Sequence, residues 1–349
     1  MPIMAHPPPF VLEPRHHEVQ RRLEALDASL PGDLFSDDVR RSLAKFALVR
    51  NSWGTTNIDA GPISIERVHD LYEAYAHGVT RAGKILPSER EVVNYFALVD
   101  DLPTSPFPLG LDDVEDVHRT YFRDVPLEND ARPGRWKDRD VVIRGPYGII
   151  PTTPEDACVE ALREALEWLN GPAQALPTYV RAALFFHRFQ GIHPFADGNG
   201  RVGRVLALTI LSSGGLGSVR YCPIDDEINL HREDYYGALR AADLGDQEAW
   251  VAYFGAELLN GYQRTHALAQ RLQRVPPSLA QESRNLIEYL YIHRVASFKV
   301  GDIAAFYLGA HKNTITRRLK ELEDLKLVRG EGRGAGRAYR VATLHELKA

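Results

Sequence analysis

The sequence has little cysteine. Cys158 and Cys222 are the only two in 349 residues, too few and too far apart for a disulfide framework or a zinc site. It has no long hydrophobic run either. The most apolar helical stretch, Val205 to Leu211, ends in Ser212-Ser213-Gly214-Gly215, far short of the roughly 20 residues that span a bilayer. The start, Met1-Pro2-Ile3-Met4-Ala5-His6, has neither the basic region nor the apolar region of a secretory signal. Internal repeats and low-complexity tracts are absent. There is no surplus of positive charge: 42 Lys and Arg stand against 47 Asp and Glu, a net of −5, so the whole molecule is not drawn to nucleic acid or anionic membranes. These absences exclude a stapled mini-protein, a membrane partner and a fibre, and they point to a reduced, cytoplasmic protein.

What is present is ordinary globular material. Hydrophobic residues make up 44% and charged residues 26%, which excludes a mainly disordered chain. At roughly 150 residues per domain the length suggests about two domains, each with a sizeable core. Helical spacing is expected over Glu13–Leu30, Asp37–Trp53, Glu66–Ala82, Ser88–Val99 and Leu111–Phe122, with turn-forming residues at Pro31-Gly32 and a looser stretch at Asn51–Ser64. Ser88, with Glu91 three residues on, has the spacing of a helix-start capping box. Val141–Ile143 and Tyr147–Ile150, separated by Arg144-Gly145-Pro146, read as a β-hairpin. Helices resume at Glu155–Leu169, Thr178–Phe189, Arg201–Leu211, Arg232–Ala242 and Gln247–Leu272. Val275-Pro276-Pro277-Ser278 is the best linker.

One segment carries chemistry: His193-Pro194-Phe195-Ala196-Asp197-Gly198-Asn199-Gly200-Arg201-Val202-Gly203-Arg204. Asp-Gly and Asn-Gly are hairpin signals, but the flanks are helical. Val202, Val205, Leu206, Thr209 and Ile210 follow one helix face, as do Ala182, Phe185, Phe186 and Phe189 upstream. The segment is therefore a glycine-rich loop opening a helix. Such a helix start directs unpaired N–H groups and the positive dipole end at the loop. Gly198 and Gly200 allow close backbone approach, and Arg201 and Arg204 share one side of the first turn. Together these make a cradle for a polyphosphate. Asp197 supplies the hard oxygen that Mg²⁺ needs, and His193 is the natural proton acceptor. A grouping of His187, His193 and Asp197 as a metal phosphohydrolase lacks a third neutral ligand at suitable spacing. Taken singly, each of these residues has a plain structural use; Phe195 is assigned to the core.

This run matches at every defined position the Fic family signature, H-P-F-x-[DE]-G-N-G-R-x-x-R. The chain resembles that family over roughly Thr55 to Arg271, including the hairpin and the Arg232-Glu233-Asp234-Tyr235-Tyr236 stretch. The resemblance implies a mainly α fold, a helical bundle with a β-hairpin flap. It implies transfer of AMP from ATP to a Ser, Thr or Tyr hydroxyl of a target protein. By position His193 would be the general base and Asp197 the Mg²⁺ holder. Gly198, Asn199 and Gly200 would form the anion hole, and Arg201 and Arg204 would orient the β- and γ-phosphates. The family's kinase-like branch has Lys after the Asn and lacks the second Gly; Asn199-Gly200 favours nucleotidyl transfer. The hairpin would hold target backbone by strand addition.

Many Fic proteins carry an inhibitory helix, [ST]-x-x-x-E-[GN], whose Glu pairs with the second motif Arg. Here the corresponding residues are Thr55, Asp59 and Ala60. The Asp is shorter by one methylene, roughly 1.5 Å of reach, so the expectation is that Asp59 still faces Arg204 with a weaker hold.

The C-terminal part reads as helix (Val300–Phe306), turn (Leu308-Gly309-Ala310), helix (Lys312–Leu322) and two short strands near Leu327–Arg329 and Ala338–Val341. This resembles a winged helix. Lys299–Arg340 holds ten basic and five acidic residues, a net of +5, which leaves −10 for the rest. Lys312, Thr314, Thr316, Arg317 and Lys320 would face DNA from the second helix, with Arg333 and Arg337 in the wing. Protein contacts, including a homodimer, are the other use of such a domain. Gly330-x-Gly332-x-x-Ala335 lacks the βαβ setting of a dinucleotide site. The expected parts are an N-terminal segment (1–75), a catalytic domain (76–274) and the winged helix (278–349). Rival functions are a DNA-binding regulator that senses nucleotide through its Fic fold, and removal rather than addition of AMP.

Overall fold

The computed structural model describes residues 10–30, 36–59, 61–78, 85–103, 105, 108–128, 131–276, 279, 281–306, 312–332 and 337–342. The expected turns at Pro31-Gly32 and Leu308-Gly309-Ala310 lie outside the described residues, as do Ala60, Pro277, Ser278 and Arg333. The chain forms two compact units: Met1–Ser29 with Ala47–Gln263, and Leu30–Phe46 with Arg264–Ala349. These limits differ from the boundaries expected at residues 76 and 274–278. The division falls inside two helices, α2 (Asp37–Asp59) and α11 (Gln247–Leu272), so no linker composition marks it.

The first unit is built around α7 (Thr178–Ile192) and α8 (Asn199–Ser213). Both are apolar almost all round, the pattern of helices surrounded by others; Phe185, Phe186, Phe189, Val202, Leu206 and Leu211 are all buried. Trp250 of α11 stacks on Phe186 and donates its indole N–H to the Ala183 carbonyl at 2.7 Å. Around them stand α1 (Pro14–Ala28), α3 (Ile65–Ala76), α4 (Pro87–Asp100), α5 (Leu111–Tyr121), α6 (Glu155–Asn170), α9 (Ile224–Leu230) and α10 (Arg232–Asp243). The hairpin is β1 (Val142–Gly145) with β2 (Gly148–Pro151), paired antiparallel from Val142↔Pro151 to Gly145↔Gly148. Its turn is therefore Pro146-Tyr147, and Arg144 belongs to the strand.

Two local expectations change. Helix α2 does not stop at Trp53 but continues through Thr55 to Asp59, because the Thr, Asn and Gly residues there are packed rather than looped. Asn51 caps the contact, donating to the Cys222 carbonyl at 2.8 Å and accepting from the Asp225 N–H at 2.9 Å. Helix α4 starts at Pro87, not after Ser88. Glu89 accepts from the Leu86 N–H at 2.9 Å, which leaves Glu91 unused by the cap.

In the second unit α12 (Gln281–Ile292), β3 (Phe298–Lys299), α13 (Val300–Phe306), α14 (Lys312–Asp324), β4 (Val328–Glu331) and β5 (Ala338–Val341) follow in order. The antiparallel sheet runs β3-β5-β4. Helix α14 buries Ile315, Leu319 and Leu322, and Phe298 stacks on Tyr339 across β3 and β5. The start of α2 belongs here too, with Asp38 paired to Arg284 at 2.7 Å and Phe46 edge-on to Tyr291. Neither α12 nor the two-residue β3 is anticipated from the sequence pattern. Among the described residues, no helix is long and apolar enough to cross a membrane.

Candidate functional site

The loop between α7 and α8 is a rigid built object. His193 caps α7 in the left-handed region, φ 52°, a conformation few non-glycine residues adopt. This turns the ring back over the helix end, where Nδ1 lies 3.2 Å from the Gln190 carbonyl oxygen. A carbonyl only accepts, so Nδ1 carries the proton and Nε2 keeps a free lone pair. Burial pushes the imidazole down to about 4, against the pull of the Gln190 carbonyl; Lys137 pushes the same way as burial, while Asp197 and Asp59 oppose it. The ring is thus neutral at pH 7.

Beneath the loop Phe195 is fully buried, stacked on His118 (3.8 Å between centroids) and on Trp136 (4.9 Å). His118 accepts from the Gly134 N–H through Nδ1 at 2.8 Å, so its Nε2 carries the hydrogen and donates to the Asp197 carbonyl at 3.1 Å. Burial drives its pKa down to about 4, in keeping with a neutral structural anchor. Lys137 ties the hairpin base to the loop: its backbone N–H donates to Pro194, and its ammonium donates to the carbonyls of Thr153 (2.5 Å) and Ile192 (3.3 Å).

The Asn199 side chain faces the loop rather than open space. It accepts from the Phe195 N–H at 3.0 Å and donates to the Phe195 carbonyl at 2.8 Å. What Asn199 can offer a ligand is therefore its backbone N–H. Gly198, φ 83°, is the helix N-cap, a conformation that favours glycine. The first bond of α8 is Val202 N–H to the Gly198 carbonyl, 3.0 Å; the N–H groups of Asn199, Gly200 and Arg201 precede it and have no partner within the helix. A Cβ at Gly200 would stand 2.5 Å from Asp59 Oδ2, so a side chain there would displace that carboxylate. A carboxylate already sits over this helix start.

Both motif arginines are buried and held by carboxylates. Arg204 donates Nε to the Thr55 hydroxyl at 2.9 Å and Nη2 to Asp59 Oδ2 at 2.6 Å, with Asp225 at 3.9 Å. Its Nη1 is buried without a hydrogen-bond partner. Burial pushes Asp225 up to about 6, against the pull of Arg204. Arg201 donates Nη1 to Glu91 Oε2 at 2.6 Å and Nη2 to Asp197 Oδ1 at 2.9 Å, with its guanidinium carbon 4.6 Å from the Phe122 ring centre. Asp197 also accepts from the N–H groups of Gly198 (2.5 Å) and Glu128 (3.0 Å). A carboxylate offers about four lone-pair sites; three donors leave room for one more partner, which fits a single-carboxylate Mg²⁺ contact shared with phosphate oxygens.

Above the loop a cavity of about 180 Å³ is lined by the hairpin, His193, Gly200, Asp59, Tyr235, Tyr236 and Leu239. The hairpin carries exposed apolar residues, Val142, Tyr147 and Ile149. A wider groove of about 730 Å³ opens at Asn57, Asp59, Pro62 and His231–Asp234.

The structure thus brings His193, Asp197, Gly198, Asn199, Gly200, Arg201, Arg204, Thr55 and Asp59 together. His187 is used elsewhere, 3.0 Å from Asp243. Among the described residues the grouping of three metal-type ligands is Glu227, His231 and Glu257, not His187, His193 and Asp197. The sequence reading misses His118, Lys137, Asp225 and the role of Glu91. Of the residues assigned to DNA, Lys312, Thr316, Arg317 and Lys320 are exposed along α14, and Thr314 is half-buried. Arg337 instead pairs with Glu323 at 2.5 Å over the Tyr339 ring.

The family model described as Fic/DOC matches residues 108–211 of the chain. The chain is 28% identical over 206 residues to the protein adenylyltransferase fic-1 of Caenorhabditis elegans, a match covering 57% of this chain and 37% of that protein. It therefore spans well under two thirds of that relative. The fold is similar to a Fic family protein from Desulfovibrio desulfuricans (TM-score 0.63, 20% identity, 97% of this chain and 98% of that one). It is also similar to residues 134–508 of C. elegans Fic-1 (TM-score 0.58, 21% identity, 73% of each chain).

Proposed function

We propose that the chain is a protein adenylyltransferase, moving AMP from ATP to a Ser, Thr or Tyr hydroxyl of a target protein. The observation that carries this is the neutral His193, its Nε2 free, beside a helix start where an Asp59 carboxylate oxygen stands 2.5 Å from the place a Gly200 Cβ would take. In the reaction Nε2 takes the proton of the target hydroxyl, and the freed oxygen attacks the α-phosphorus. The bond from that phosphorus to the β-phosphate oxygen breaks, and pyrophosphate leaves. The N–H groups of Asn199, Gly200 and Arg201 neutralise charge on the α-phosphate, while Arg201 and Arg204 orient the phosphates beyond it. Asp197 would hold Mg²⁺, which when bound supplies positive charge to the phosphate oxygens. The hairpin aligns the target backbone beside His193.

Asp59 reads as a restraint on this chemistry. Its carboxylate lies over Gly200 and against Arg204, where phosphate must otherwise go. Thr55 holds the same guanidinium. The shorter side chain reaches because α2 remains helical through Asp59.

The test is purified protein with Mg²⁺ and label on the α-phosphate of ATP, beside His193→Ala, in a lysate supplying targets. Label that appears on protein and vanishes in the variant supports transfer. No label from the wild type or from Asp59→Ala sinks it.

A second reading concerns the second unit. Helix, strand, two helices and a two-stranded hairpin, with the sheet ordered β3-β5-β4, support a winged helix. The exposed Lys312, Arg317 and Lys320 on one side of α14 support DNA as its partner. The buried free cysteines suit a cytoplasmic setting.

A further inference from the structure

Glu91 is a buried carboxylate far from the motif in sequence, and its spacing from Ser88 gives it only a place in a capping box. It stands on α4, is 5% exposed, and meets Arg201 Nη1 at 2.6 Å. Burial raises its pKa and Arg201 opposes that. The other edge of the same guanidinium meets Asp197, and Phe122 closes one face. Arg201 is thus divided between two carboxylates, one from the loop and one from outside it.

The division matters because an arginine facing one carboxylate tends to give it two parallel N–H bonds. Asp197, just before the N-cap of α8, and Arg201, on its first turn, are four residues apart, close enough to do so. A two-bond pair would occupy the remaining lone pair of Asp197 and bury the group that Mg²⁺ needs. Glu91 holds Nη1 and so blocks the end-on pair through both terminal nitrogens; Nη2 alone touches Asp197, and Nε is buried without a hydrogen-bond partner.

We propose that Glu91 is a positioning residue for nucleotide binding, resting on the adenylyltransferase reading: it pins one terminal arm of Arg201 and leaves the other, Nη2, to exchange. That arm lies on Asp197 when no nucleotide is bound and on a phosphate oxygen when Mg²⁺·ATP is bound. Asp197 is then released toward the cation while the buried Arg201 charge keeps a partner throughout.

The test measures ATP binding calorimetrically, with Mg²⁺ and with EDTA, for the full chain and for Glu91→Gln and Glu91→Ala. Glutamine keeps the volume and one acceptor, so it guards against a variant that fails to fold; melting curves check both. Glu91→Ala is expected to weaken Mg²⁺·ATP binding about tenfold and to change ATP binding in EDTA less than twofold. Glu91→Gln should fall between alanine and wild type. In an Asp59→Ala background KM for ATP should rise while kcat stays within about twofold. Wild-type Mg²⁺ dependence in both folded variants overturns the assignment of Glu91 alone. Wild-type protein that binds no ATP in either condition overturns the adenylyltransferase reading and this one with it.

Discussion

Two regions of this molecule are rich in arginine and use it in opposite ways. Between His193 and Arg204 both arginines are buried, and carboxylates from α2, α4 and the loop itself hold them. Along α14 the exposed Lys312, Arg317 and Lys320 have no ion pair within the described residues, and the cations that are paired, Arg318 and Arg337, face the unit's own acids. The contrast teaches that a charge count says little about where a ligand goes. The first region is acidic in sum around its arginines, yet it is the region proposed to take phosphate, because buried charge must be partnered and a ligand can replace the partner. The second region carries a local positive excess, yet its exposed cations Lys312, Arg317 and Lys320 act through screened, long-range attraction.

The largest expected effect separates the two directly. Arg204→Ala leaves Asp59 and the buried Asp225 without their cation, and should destabilise the fold by about 3–5 kcal/mol. Arg317→Ala, on an exposed face, should change stability by no more than about 0.5 kcal/mol. Urea melts of the two variants check this; equal losses would erase the distinction.

Charge reversal at Lys312, Arg317 and Lys320 is next. If α14 reads DNA, binding to duplex should weaken at least tenfold at about 0.1 M salt, and the slope of log affinity against log salt should flatten by roughly three. Gel shifts across a salt series measure both. A slope unchanged by the triple variant would return the stripe to an ordinary solvated face.

The sequence displayed these regions unequally. The loop was legible to the residue because its chemistry lies in contiguous sequence: His193, Asp197, Gly198, Gly200, Arg201 and Arg204 sit within twelve positions. Their supports were not, because long-range packing supplies them. Glu91 looked like part of a capping box, His118 like an ordinary helix residue, and Asp225 like nothing in particular. The run of Thr55 to Asp59 looked like loop because Thr, Asn and Gly have weak helix propensity; packing through Asn51 and the hold of Arg204 on Thr55 override it. The missed division inside α2 and α11 has the same origin, since helix periodicity does not register which neighbour a face meets.

Asp59→Ala should raise transfer about fivefold, the equivalent of the ~1 kcal/mol a partly exposed ion pair contributes. Thr55→Ala should act in the same direction and less. A labelled-AMP assay at saturating target measures both, and a fall in rate with Asp59→Ala would make that carboxylate part of the active arrangement.

The smallest effect is the most discriminating about His193. An imidazole at its ordinary pKa of about 6.5 would be half protonated at that pH, and the transfer rate would double between pH 6.5 and 8. Here burial holds the group at about 4, with Lys137 pushing it further down and Asp197 and Asp59 pulling it up. The basic form is therefore already complete at pH 6, and the rate should stay level, within about 20%, from pH 6 to 8. It should fall only as pH approaches 4, where protonation removes the lone pair that accepts the hydroxyl proton. Replacing Lys137 with Met removes one of the two depressing influences and should move the acid limb upward by a fraction of a unit. A rate that climbs through pH 6.5 in the wild type would mean that the ring is solvated during turnover, and that the enclosure seen around His193 opens before the chemistry.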